Sequence, residues 1–179
     1  GNRSPAGEPL LSFGTRALVH FAVSTDRIAM ATKLSGASTH FLPFDLGNDG
    51  RAGNPTNPTG AATSYLWERI LQRNAWLHIL GSLLHLETRT STDPITGEVS
   101  KRTTLLFPRY HQWDLVTRML QTVRDEGPGH RYLVQHSAGS GKTNSIAWLA
   151  HRLSSLHSAD DRPVFDKVVV ITDRLVLDR

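Results

Sequence analysis

The apolar positions of this chain change period along its length, and each period predicts a different element. Ala17 to Val23 is a short apolar run that reads as a strand. Ser24-Thr25-Asp26-Arg27 reads as a turn, and Ile28 to Leu34 as a second strand, which together make a hairpin. From Tyr65 to Leu80 the spacing becomes helical, with Leu66, Ile70, Trp76 and Ile79 among the apolar positions and Thr63 or Ser64 as a cap. A second helical stripe carries Trp113, Val116, Leu120 and Val123, with Leu115 and Met119 beside it. Pro108 suits the first turn of that helix, and Gly127-Pro128-Gly129 stops it. Residues 131–136 then read as a strand, and Ile146, Leu149, Leu153 and Leu156 give a helix over 143–157. Val168-Val169-Val170-Ile171-Thr172 is an uninterrupted β-branched run, the pattern of a parallel strand buried on both faces.

The polar stretches divide these elements. Residues 43–60 are dominated by Gly, Asn, Pro and Asp, and turn chemistry explains them better than contact with a partner. Residues 88–104 are polar and turn-rich, a linker or exposed hairpin, and the domain boundary is expected there. This gives units over 1–104 and 105–179. The second unit runs helix, strand, glycine loop, helix, strand. That is the opening of a RecA-like α/β domain with a parallel sheet and a right-handed crossover.

The glycine loop is His136-Ser137-Ala138-Gly139-Ser140-Gly141-Lys142-Thr143, between the expected strand and helix. A triphosphate needs many donors near its oxygens. Glycines let successive N–H groups point inward with no Cβ in the way. The unpaired N–H groups at a helix start favour anions. Lys142 is expected to reach the β- and γ-phosphates, and Thr143 to place its hydroxyl on Mg²⁺. The pattern G-x-x-x-x-G-K-[ST] departs at its first position, where this chain has His136, read as structural.

Composition narrows the setting. The chain has 179 residues, net charge +4 and no cysteine, which excludes disulfides and thiolate metal sites. The nine histidines show no metal-ligand spacing. No run approaches the roughly 18–20 apolar residues of a membrane span, and no charged-then-apolar leader opens the chain. Both Gly1 and Arg179 read as cut ends. The mild positive charge permits nucleic-acid binding without demonstrating it.

Taken together, several motifs resemble one family, the restriction (R, motor) subunit of type I restriction-modification enzymes. Arg16 to Asp26 is similar to a late strand pair of that family's nuclease domain. Phe41-Leu42-Pro43-Phe44, Gly47-Asn48, Gly53-Asn54-Pro55 and Tyr65-Leu66-Trp67-Glu68 are similar to the segment after it. Phe107-Pro108-Arg109-Tyr110-His111-Gln112 resembles the adenine-reading motif. Gln135 to Trp148 resembles the family's phosphate loop, including the histidine. Ile171-Thr172-Asp173-Arg174 resembles the next helicase motif. The resemblance implies an α/β architecture in two parts. Residues 1–104 are the back portion of a restriction-nuclease-like domain, and 105–179 open the first superfamily-2 motor domain.

The resemblance also implies roles. Gln112 would read adenine with both halves of its amide, and Arg109 or Tyr110 would pack near the ring. Ser137, Ala138, Gly139, Ser140, Gly141, Lys142 and Thr143 would hold ATP, with Mg²⁺ on Thr143. Arg174 would contact DNA phosphates, against the equal reading of a solvated arginine after a strand. Duplex DNA and the methyltransferase and specificity subunits would be partners, in a bacterial or archaeal cytoplasm. No catalytic residue is expected in the chain. Residues 1–107 contain no Glu-x-Lys, and no motor Asp-Glu box can be placed, so ATP turnover and DNA cleavage are not expected of it. The alternatives are another superfamily-2 helicase or remodelling ATPase, or a non-catalytic DNA- or subunit-binding remnant.

Overall fold

A computed structural model describes residues 7–172. Asp173 and Arg174 lie outside the described residues, so the DNA contact expected of Arg174 falls beyond them. The chain divides into two compact units, between His111 and Gln112.

In the first unit, β1 (His20–Val23) and β2 (Ile28–Ala31) form the expected hairpin, and β3 (Leu42–Pro43) adds to the far side of β2. Both pairings are antiparallel, with Phe21 opposite Met30 and Met30 opposite Leu42. The strands are shorter than the apolar runs suggested. Ser24 makes the turn, its N–H donating to the Arg27 carbonyl and its hydroxyl accepting from the Arg27 N–H. The asparagine-glycine stretch after β3 is held by its own amides. Asn54 accepts from Leu46 N–H and donates to the Asp26 carbonyl and to Asp45. Asn57 donates to the Ala61 carbonyl and the Ser64 hydroxyl. This is the turn chemistry expected of that composition.

The single helix expected over 65–80 is broken. A π-helical turn over Leu66–Ile70 is followed by α1 (Arg73–His78) and a second π-helical turn over Ile79–Leu83. The reason is geometric. On one unbroken α-helix Ile79 would be rotated by about 220° from Leu66 (~100° per residue), facing away from it. Gln72 is extended, with ψ 144°, and this re-aims the second half. Leu66, Ile70, Ile79 and Leu83 are all buried as a result. The same unit holds an aromatic cluster in which Phe44 meets Phe21 and Tyr110 edge-on, and Tyr65 meets Tyr110 in the same way. Tyr65 donates its hydroxyl to the Phe44 carbonyl at 2.8 Å, and burial drives its pKa well above the usual value.

The polar stretch after this core is a hairpin. β4 (His85–Thr92) and β5 (Val99–Leu106) pair antiparallel over all eight residues, from His85 opposite Leu106 to Thr92 opposite Val99. Its base is anchored by buried Leu105, and most of its length is exposed.

Helix α2 (Tyr110–Glu126) starts two residues after Pro108 and ends at Gly127, whose N–H donates to the Val123 carbonyl. Trp113, Val116, Leu120 and Val123 are buried, as their spacing predicted. Helix α3 (Lys142–Ser154) also forms. The two strands expected around them do not. Among the described residues neither 131–136 nor 168–172 forms a strand, with Leu133 95% and Ile171 90% exposed. Among the described residues both sheets are antiparallel, so the expected parallel sheet is replaced by a mixed arrangement of helices and small antiparallel sheets. An apolar run becomes a strand only when a neighbour takes up its backbone groups, and neither run has a ladder partner among the described residues. No helix among the described residues is long and apolar enough to cross a membrane.

Candidate nucleotide site

The glycine loop leads directly into α3, as the sequence required. Gly139 and Gly141 have φ of +71° and +80°, left-handed values that turn the chain sharply before the helix. Gly141 is the residue immediately before the first helical turn, and its carbonyl accepts from the N–H groups of Asn144 and Ser145. The N–H groups of Gly139, Gly141, Lys142 and Thr143 meet no backbone acceptor among the described residues. They are the orphan donors of a helix start, gathered at one end of α3.

Lys142 closes the loop on itself. Its ammonium donates to the Ser137 carbonyl at 2.8 Å and to the His136 carbonyl at 3.1 Å. The lysine thus spans the turn through main-chain acceptors and bears no carboxylate partner among the described residues. A phosphate oxygen is a stronger acceptor than either carbonyl, so the ammonium is poised to exchange them for an anion. His136 contributes its carbonyl here. Its imidazole is held below the ordinary histidine pKa, first by burial and then by the positive charge of Lys142. The structural reading of His136 fits this arrangement.

Gln112, from α2, is 3% exposed and reaches the same turn. Its Nε2 donates to the Gly141 carbonyl at 3.0 Å and lies 3.3 Å from the Ser140 carbonyl. A Cβ added at Gly141 would sit 2.6 Å from that nitrogen. The glycine is therefore demanded twice, by its backbone angle and by the side chain against it. A contact between positions 29 apart left no signal in the sequence; glutamine was singled out there for its ability to read adenine. Ser140 is buried within the turn, whereas Ser137, Ala138, Gly139 and Thr143 are exposed.

Arg109 belongs to the first unit. Its Nε donates to the Pro43 carbonyl at 3.3 Å, and partial burial lowers its pKa. Tyr110 is held by the Arg69 guanidinium, which lies 2.5 Å from its hydroxyl and over its ring. Among the described residues no group of three or more His, Asp or Glu side chains could hold a metal ion, so a cation here would be carried by its ligand and by Thr143.

The donors, the left-handed glycines and the uncommitted lysine charge fit a phosphate chain. The comparison with known families agrees with that chemistry. Residues 105–179 match the family described as type III restriction enzyme, res subunit. No curated protein and no solved structure matches the chain. The second part of the chain is similar to a helicase-like, ATP-binding restriction-enzyme family.

Proposed function

We propose that residues 105–179 are the opening ATP-binding segment of the motor of a type I restriction enzyme R subunit, and that residues 1–104 are the back of its nuclease domain. One observation carries the proposal: Lys142 bridges the carbonyls of His136 and Ser137 across a glycine turn at the start of α3. The ligand is ATP with Mg²⁺. The N–H groups of Gly139, Gly141, Lys142 and Thr143 and the Lys142 ammonium hold its phosphates, with Ser137, Ala138 and Ser140 forming the wall of the turn. Thr143 gives its hydroxyl to the cation. Gln112 locks the turn, and the resemblance to the R subunit gives Gln112 and Arg109 the reading of adenine. Arg174 meets the phosphates of duplex DNA. When bound, ATP supplies the phosphoryl transfer that drives translocation in the complete enzyme, alongside methyltransferase and specificity subunits in a bacterial or archaeal cytoplasm. The 179-residue chain itself binds nucleotide.

The test is equilibrium binding of a fluorescent ATP analogue with Mg²⁺ to the 179-residue chain. Lys142→Ala is expected to weaken binding at least tenfold while the chain stays folded, as its far-UV spectrum shows. Equal affinity for both proteins would move the site elsewhere. Robust DNA-stimulated turnover by the chain would contradict the reading of a binding segment.

A second reading, another superfamily-2 ATPase, is favoured by the reach of the family match, which covers residues 105–179. Neighbouring genes for methyltransferase and specificity subunits are expected under the first reading only.

A further inference from the structure

The hairpin β4–β5 is unusual for its chemistry. Two strands of eight residues make a ribbon about 27 Å long, at ~3.4 Å per residue. Beyond its anchored base neither face is apolar, so burial does not explain its length. Thr90, Ser91 and Thr92 on one strand and Ser100, Thr103 and Thr104 on the other give it a hydroxyl-rich surface.

Its charges are sorted. Arg89 lies directly opposite Arg102, a like-charge cross-strand pair that costs stability when no anion lies between. Arg89 is offset by Glu87, at 2.9 Å. Asp93 is occupied at the tip, where it accepts from the N–H groups of Ile95 and Thr96. Glu98 also lies at the tip end. Lys101 and Arg102 remain exposed at mid-ribbon, with no hydrogen-bond or ion-pair partner among the described residues. Being adjacent on a strand, they project from opposite faces.

We infer that β4–β5 is a duplex-DNA-binding arm that seats in the major groove, with Lys101 and Arg102 directed at opposite phosphate walls. The major groove, about 12 Å wide, admits a two-stranded ribbon, whereas the minor groove, about 6 Å wide, does not. Hydroxyls and cations on both faces suit contact with phosphate and sugar, which gives register and affinity without sequence choice. This deepens the DNA-acting reading above and rests on it.

The test is fluorescence anisotropy of the 179-residue chain with a labelled 30-base-pair duplex across a KCl series. Lys101→Ala with Arg102→Ala is expected to reduce the slope of log affinity against log salt by about 1.8, two phosphate contacts at ~0.9 each. The charge-matched pair Arg16→Ala with Arg51→Ala, exposed cations outside the ribbon, is expected to leave the slope unchanged. Far-UV spectra and melting temperatures confirm that both variants fold. A wild-type slope in the ribbon variant, or an equal reduction in both variants, would overturn the arm alone. A wild-type chain that binds no duplex at 50 mM salt would overturn the DNA-acting reading as well.

Discussion

Gly141 carries two constraints that a single substitution separates. Its φ of +80° penalises any Cβ by about 1–2 kcal/mol, and the 2.6 Å approach of Gln112 Nε2 adds a steric clash. Gly141→Ala is therefore expected to lower the melting temperature and to weaken nucleotide binding. Adding Gln112→Ala to Gly141→Ala removes the clash and leaves the backbone penalty. The double variant is expected to regain part of the lost stability, although Gln112→Ala alone costs the hydrogen bonds to Ser140 and Gly141. Strictly additive losses in thermal melts of the three proteins would show that the two residues do not press on each other. The glycine itself was legible from sequence, because its role is local. The glutamine's grip on the turn was not, because a contact across 29 residues exists only once α2 and α3 have folded.

At the scale of elements, the ribbon's turn is set by one carboxylate. Asp93 accepts from the N–H groups of Thr96 and Ile95, and these bonds, Thr96 first, hold its pKa below the ordinary aspartate value of 3.8. The folded turn binds its proton more weakly than the unfolded chain does. Its contribution is therefore complete above 3.8 and lost as pH falls through the lower folded value. Amide exchange at Ile95 and Thr96 is expected to stay protected at pH 5 and to lose protection below pH 3.8. Asp93→Ala should already show the unprotected rates at pH 5. A variant with wild-type protection would remove the carboxylate from the turn. The sequence foresaw a linker or exposed hairpin here from Asp93-Pro94-Ile95-Thr96-Gly97, since turn residues act over four or five positions. Helix α2 was legible for a similar reason, because Trp113, Val116, Leu120 and Val123 lie on one stripe. The segment from Tyr65 to Leu83 was not. Its apolar residues satisfy helical spacing in each half, and only the demand that Ile79 and Leu83 be buried together with Leu66 and Ile70 forces the break at Gln72.

At the scale of the whole chain, the strands that failed to form are as informative as the helices that did. Tyr132 to Gln135 and Val168 to Thr172 have strong strand composition, yet their backbones have no ladder partner among the described residues and Leu133, Val169 and Ile171 are largely exposed. Composition measures how well a residue suits a pleated, half-buried surface. It does not supply the neighbour that makes the surface. The phosphate turn survives without a sheet because its own parts stabilise it: the Lys142 bonds to His136 and Ser137, the Gln112 bonds to Ser140 and Gly141, and the continuation into α3. This arrangement makes a graded prediction for hydrogen exchange of the chain at neutral pH. Amides in the middle of α2, from Asp114 to Gln121, are expected to be the most protected in the second unit. Those of α3 beyond its first turn should follow. Amides from Tyr132 to Gln135 and from Val168 to Ile171 should exchange close to the rate of an unstructured peptide, since no acceptor holds them. Slow exchange in either apolar run would mean that a ladder partner is present in solution, and the unpaired state of these segments would then have to be abandoned.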